Sequence, residues 1–308
     1  MVKGWLLVFG LVLVPQPALA QWMTVDFQTT PYVLRGPSGT RNLLALNSPG
    51  PCAPGTQWNT THVAPGPNNG GYANRGYVRW IWCDYDVSGE AQGAGGWTES
   101  GALFRPSSGW PDVFYGRFRV YVERPLIVKE GGDERRQFKF FIWHPEVYSG
   151  DQRVIGFMES GSNCGLNDSE GVCFTLQRNI NHNTDTATVP LTVGQWHHLQ
   201  FSWRHGPRGT SFVKLWLNNN SLGSPNAQDI DLSGVPGEPG GTASWVKDNL
   251  GYDRQFYLGN QANTGTMVGS DFILRLMDLE LDGQFDSAWS SGGSQSAPIA
   301  PTNLRIVP

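Results

Sequence analysis

The stretch "FYGRFRVYVE", residues 114–123, places Arg117, Arg119, Tyr121 and Glu123 at every second position and Phe118, Val120 and Val122 between them. A period of two puts alternate side chains on opposite faces of a strand. The same alternation recurs at 76–83, 101–105, 136–144, 153–159, 173–180, 196–204, 211–218, 255–259 and 271–282, and no stretch sustains a helical period. Gly, Pro, Asn and Asp break these segments; the chain has 39 glycines and 21 prolines. Many short alternating segments with such turns predict an all-β fold, a two-sheet antiparallel sandwich. The segments 196–204 and 211–218 are predicted to pair as a hairpin. Residues 30–75 read as long loops, and "TASWVKDNLGY" as one or two helical turns.

The two ends read differently. Lys3, an apolar run and Ala18-Leu19-Ala20 form the pattern of a secretory leader, residues 1–20, cut before Gln21. The apolar run is too short to span a bilayer comfortably, so the expectation is a secreted or periplasmic protein with no membrane contact once the leader is removed. Residues 21–289 are then the sandwich with a loop-rich N-terminal part, and 290–308 a flexible tail rich in Ser, Gly and Pro. Four cysteines suit an oxidising compartment. Cys164 and Cys173 bracket a short polar loop, which leaves Cys52 and Cys83 as the second pair. No C-x-x-C spacing suggests zinc, and no metal ligand set is assigned. Charged residues make up 16% of the chain, with a net charge of −4. An acidic balance argues against nucleic acid as a partner. Thirteen tryptophans in an exported β-rich chain suit contact with carbohydrate, and the protein is expected to be a monomer.

Several segments carry candidate chemistry. "RRQFKFFIWHPE" alternates Phe138, Phe140 and Ile142 against Lys139 and Trp143. If the first set is core, Lys139 and Trp143 share one groove with the arginines of 114–123. Trp216 alternates with Leu215 and Leu217, and Gln177 with Leu176 and Arg178. Cations beside aromatic platforms suit an anionic sugar chain, because guanidiniums bind carboxylate or sulfate. In "MDLELDG", Asp278, Glu280 and Asp282 alternate with Leu279 and Leu281, about 7 Å apart by strand rise. Such a row is a candidate acid set, a solvated face or a holder of structural calcium. Glu159 is a further candidate acid. His197 and His198 point to opposite sides of a strand and cannot chelate one metal together. Neither H-E-x-x-H, G-x-S-x-G nor G-x-x-x-x-G-K occurs.

The stretch "GQWHHLQFSWRHGPRGTSFVKLWLNNNSLG", residues 194–223, resembles a hairpin of the concanavalin A-like jelly rolls. "FYGRFRVYVE", "RRQFKFFIWHPE" and the final "DFILRLMDLELDG" resemble strands of the lyase-like members of that superfamily. The likeness covers roughly residues 97–286 and implies that one sheet is concave and forms a groove for a glycan chain, which Arg117, Arg119 and Tyr121 face. It further implies a polysaccharide lyase acting by β-elimination on a uronate-containing chain, with no required cofactor. A lyase neutralises the uronate carboxylate, removes the adjacent proton and protonates the departing oxygen. On this resemblance Arg117 and Gln177 neutralise, with Arg119 and Lys139 nearby, and His144 and Tyr148 act as base and acid. Arg119, Tyr121, Lys139, Trp143, Trp216 and Tyr257 hold the substrate; Tyr257 falls in "YLGNQANTG", near the family's tyrosine-bearing strand. The alternatives are a non-catalytic glycan-binding module and a glycoside hydrolase using Glu159 or the 278–282 carboxylates.

Overall fold

The computed structural model describes residues 23–26, 33–36, 39–42, 58–66, 75–82, 103–104, 113–126, 137–144, 153–180, 183–204, 212–230, 255–258, 272–282 and 285–287. Residues 1–20, read above as a leader, residues 290–308, the 242–252 stretch, Tyr148, Cys52 and Cys83 lie outside these residues. Sixteen strands are described. They are β1 (Met23–Asp26), β2 (Val33–Gly36), β3 (Gly39–Asn42), β4 (Trp58–Val63), β5 (Tyr77–Trp82), β6 (Leu103–Phe104), β7 (Val113–Arg124) and β8 (Gln137–His144). They continue with β9 (Arg153–Ser160), β10 (Gly171–Ile180), β11 (Asn183–Thr192), β12 (Trp196–Arg204), β13 (Phe212–Leu217), β14 (Ala227–Ile230), β15 (Gln255–Leu258) and β16 (Phe272–Asp282). The one helical element among the described residues is a 3-10 turn at Gly161–Cys164.

The strands form two antiparallel sheets. The larger runs β14-β13-β12-β7-β16-β1-β2-β3, with β5 also on β16 and β4 on β5. Along β16, Phe272–Leu276 pair with β5, and Leu279–Leu281 pair with β1. The smaller sheet runs β11-β10-β9-β8-β15-β6. β12 and β13 pair as the hairpin expected from 196–204 and 211–218.

Residues 30–75, expected as loops, instead contain β2, β3 and β4. Their sequences, "VLRG", "GTRN" and "WNTTHV", are too short or too polar to show an alternating apolar face. β11 was equally hidden, because its first half is polar and Pro190 interrupts it. As the edge strand of the smaller sheet, it can spare the N–H that proline lacks.

One aromatic cluster joins the sheets. Phe118, Phe201 and Trp203 come from the larger sheet, and Phe140, Phe141 and Phe174 from the smaller. Phe114 stacks on Trp203 at 4.6 Å, and Phe141 on Phe201 at 5.2 Å. Each buried ring contributes about 1.5–3 kcal/mol of transfer free energy. Two strand glycines make room for the rings. A Cβ at Gly116 would run into the Phe201 ring and Leu281, and one at Gly156 would lie 2.5 Å from Phe141 Cε1.

The described ladders have three register slips: one falls between Ile273 and Leu274, and the other two decide which residues face outward. In β8 the register slips between Lys139 and Phe141, so Phe140 and Phe141 both enter the core. In β16 it slips between Met277 and Glu280, where Asp278 takes φ 55°. Phe272, Leu274 and Leu276 precede that slip; Leu279 and Leu281 follow it, and all five are core. The change of phase from even to odd numbers is the bulge written in sequence.

Candidate functional site

The outer face of the larger sheet carries the arginines. Residues directly opposite on antiparallel strands share a face, and Phe118, Val120 and Val122 of β7 point into the core. Arg117, Arg119, Tyr121 and Glu123 therefore point away from it. So does Glu280, which lies opposite Arg117 in register. Arg117 forms an ion pair with Glu280, and its Nε lies 3.9 Å from Asp286. Arg119, 1% exposed, donates to Asp278. Asp278 also accepts from Arg75 Nη1 at 2.6 Å and Nη2 at 2.5 Å. Farther along, Glu123 accepts from Arg79 Nε at 3.0 Å, Arg79 Nη2 at 2.7 Å and Arg275 Nε at 2.9 Å. Burial alone would raise the Glu123 carboxyl pKa, but the hydrogen bonds from Arg79 and Arg275 outweigh it and hold it below the ordinary value.

This arrangement corrects the expected anionic-glycan face. Arg117 and Arg119 are interior cations matched by carboxylates from the next strand. The 278–282 row is correspondingly not a solvated acid set: Asp278 and Glu280 are buried and engaged by arginines. The side chain of Asp282 lies outside the described set. Trp216 is also no open platform. It is fully buried, packs 4.9 Å from Phe285 and donates Nε1–H to the Ser221 carbonyl at 3.0 Å. The 285–287 stretch is tied down by Gln200, which donates to the Asp286 carbonyl at 3.0 Å and accepts from its N–H at 3.2 Å. The paired patterns Arg-x-Arg in β7 and Asp-x-Glu in β16 were the signal for this network.

Lys139 and Trp143 were expected to share a face with these arginines. They do not, because β8 belongs to the other sheet. The bulge also separates them from each other. Lys139 lies opposite Phe157, whereas Trp143 lies opposite Val154, a core residue.

The outer face of the smaller sheet gathers a different set. One transverse row runs Thr186–Gln177–Ile155–Ile142–Tyr257–Leu103 across β11, β10, β9, β8, β15 and β6. Ile155 and Phe157 form a small cluster apart from the main core, which marks this as the outward side. His144 is two residues beyond Ile142 on β8 and so takes a position on the same face, opposite Gln255. Lys139, opposite Phe157, is there as well. Gln177 is half-buried. Glu159 is buried and accepts from Thr175 Oγ1 at 2.5 Å, and Thr175 and Thr188 share a hydrogen bond of 3.0 Å. Cys173, opposite Glu159, forms the expected disulfide with Cys164, with Cα atoms 5.8 Å apart. This bond anchors the 161–170 loop at the edge of the face. The Thr188–Thr175–Glu159 chain was missed in the sequence, because β11 itself was not recognised there.

The expected catalytic set is thus divided. Gln177 and the His144 position lie on the outer face of the smaller sheet, and Arg117 lies on the opposite side of the sandwich. His197 and His198 occupy opposite faces as expected; they lie opposite Val120 and Arg119. His197 is held by the Thr192 carbonyl at 2.9 Å. Among the described residues, no group of three or more His, Cys, Asp or Glu gathers as metal ligands.

No protein-family model matches the chain, and no curated protein matches it. Solved structures similar to it include an endo-β-1,4-glucuronan lyase from the fungus Trichoderma reesei. That match has 11% identity, covers 86% of this chain and 97% of that one, and has a TM-score of 0.46. The binding domain of botulinum neurotoxin serotype C1 matches at 8% identity over 87% of this chain and 50% of that one, with a TM-score of 0.40. The cellulose-induced protein Cip1 matches at 13% identity over 75% and 88%, with a TM-score of 0.35. At these identities and scores the likenesses say nothing about a site or an activity.

Proposed function

We propose that the chain is an exported polysaccharide-active protein that cleaves a uronate-containing glycan by β-elimination on the outer face of its smaller sheet. The observation that supports this is the shared face of Lys139, His144, Gln177 and Tyr257 in the register of β8, β10 and β15. In this reading Gln177 and Lys139 neutralise the uronate carboxylate. An amide donor and an ammonium stabilise the charge that builds there when the neighbouring C–H is deprotonated. His144 is the base. The acid is the phenol of Tyr257, one strand away; Tyr148, the other phenol near His144 in sequence, is the alternative donor. Proton transfer and elimination need no cofactor. Glu159, fixed by Thr175, sits at the disulfide end of the same face and is the acid that a hydrolytic reaction would use.

The test is incubation of the purified protein with a panel of polyuronates and neutral glycans, following both ultraviolet absorbance and reducing ends. Unsaturated uronate ends on a polyuronate are the expected outcome. Reducing ends without that absorbance would replace the lyase with a hydrolase. Binding without either product would make this a glycan-binding module.

A further inference from the structure

The chain holds three Asn-x-Ser/Thr sequences, Asn59-Thr60-Thr61, Asn167-Asp168-Ser169 and Asn219-Asn220-Ser221. Each is an acceptor sequence for N-linked sugar, and the proposed reaction uses none of them. The side chain of Asn59, in β4, lies outside the described set. The fold treats the other two in opposite ways. Asn167 and Ser169 are exposed in the 161–170 loop between β9 and β10. That loop is fixed at its base by the Cys164–Cys173 disulfide, by the Leu166 N–H on the Gly161 carbonyl at 3.0 Å, and by the Ser162 N–H on the Asp168 carboxylate at 3.0 Å. At its tip the Asn167 N–H donates to the Glu170 carboxylate at 3.0 Å. Among the described residues, the side-chain amide of Asn167 meets only that same, fully exposed carboxylate. Asn219 is half-buried and uses its whole side chain in the 218–226 turn. Its Nδ2 donates to the Ser224 carbonyl at 2.6 Å and to Asn226 Oδ1 at 3.3 Å, and its Oδ1 accepts from the Ser221 N–H at 2.9 Å. The Ser221 carbonyl in turn holds Trp216 Nε1–H at 3.0 Å.

We infer that Asn167 is the acceptor of an N-linked oligosaccharide, added as the chain is exported, and that Asn219 of the folded protein is not. In the transfer the Asn167 amide nitrogen attacks the anomeric carbon of a lipid-diphosphate-linked oligosaccharide. A C–N bond forms, and the C–O bond to the diphosphate breaks. The lipid diphosphate leaves with the electron pair, and the amide gives up one proton. An asparagine amide has two N–H groups, so the product keeps one. At Asn167 the remaining N–H still reaches Glu170, and the sugar extends from an exposed loop into water. At Asn219 both N–H groups are in use, and a sugar would displace the Ser224 carbonyl or Asn226 and open the turn that holds Trp216. Transfer precedes folding, so the folded structure selects by what it tolerates: a chain glycosylated at Asn219 cannot close this turn. The inference rests on the reading of residues 1–20 as a secretory leader and is independent of the reaction proposed above. The loop borders the outer face of the smaller sheet at its Glu159 end. A glycan there covers the exposed stretch between the two cysteines against proteases, which favour such loop tips.

The test is production of the full chain in a secreting yeast, with peptide mapping of the medium and the cell fraction by mass spectrometry. Glycosidase release in heavy-oxygen water converts each occupied asparagine to labelled aspartate. The expected result is label at Asn167 in most secreted molecules and none at Asn219. Asn167→Gln should lose that label while still being secreted, and a protease should cut it within 161–170 faster than the glycosylated wild type. Secreted protein without label at Asn167, or with label at Asn219, would overturn the inference. A chain that stays in the cell without label would overturn it through the export reading instead.

Discussion

Asp278→Asn probes the interior ion network with little other disturbance. The residue sits at φ 55°, a conformation that asparagine accepts readily, so the backbone is preserved and only the charge is removed. The amide then faces two guanidiniums. Arg75 keeps 22% of its side-chain exposure and can turn to water, but Arg119 keeps 2% and cannot. Removing one partner of a buried pair costs about 3–5 kcal/mol. The escape open to Arg75 places this variant near about 3 kcal/mol, a loss in melting temperature of about 6–12 °C at about 2–4 °C per kcal/mol. Arg119→Met should cost less, because Asp278 keeps both hydrogen bonds from Arg75; about 1.5–3 kcal/mol is the scale of one charged hydrogen bond. The sharper expectation concerns the pair. Placed on Asp278→Asn, the Met substitution removes the cation that has lost its carboxylate, so it should be neutral or stabilising. Urea unfolding followed by tryptophan fluorescence measures all four proteins. A loss below about 1 kcal/mol for Asp278→Asn, or strictly additive costs, would refute the network's role.

Gly116→Ala should destabilise by about 1–3 kcal/mol through overpacking against Phe201 and Leu281, read from the same unfolding curves. The Cys164→Ser/Cys173→Ser double variant should lose about 2–3 kcal/mol by the chain-entropy argument for a short loop. Limited proteolysis should then cut first within 161–170. Burial holds the His197 imidazole below its ordinary value of 6.5, and the hydrogen bond to Thr192 only partly opposes this. The folded protein therefore keeps this ring neutral while the unfolded chain takes up a proton below pH 6.5, so stability should fall as pH drops from 6.5 toward the folded value. In His197→Gln that part of the slope should vanish, as shown by unfolding free energies measured across this range.

The fold was legible wherever a strand has one buried and one outward face. β7, β12 and β16 each carry that pattern, and β12 has the predicted bounds of 196–204. Strands with a polar or interrupted sequence were not legible: β4 reads "WNTTHV", and β11 sends Ala187, Val189 and Leu191 into the core only from its middle onward, a part that Pro190 interrupts. The outward faces were read correctly for Arg117 and Arg119, but what covers them was not. Strand order places the carboxylates of β16 beside the arginines of β7, and no pattern within one segment reports its neighbour. The β8 bulge had the same effect on a smaller scale. One extra residue moves Trp143 off the face of Lys139 and brings His144 onto the face of Gln177 and Tyr257. Sequence alternation assumes a constant phase, and both bulges break it.

The central claim is that the reaction face is the outer side of the smaller sheet. Its most direct test is the initial rate of unsaturated-uronate formation, at saturating polyuronate, for His144→Ala and Tyr257→Phe against wild type. A base and an acid placed there should each be worth about 10²–10⁴-fold in rate, so both variants should fall at least about a hundredfold while remaining folded. Wild-type rates in both would contradict the account and move the chemistry to another part of the chain.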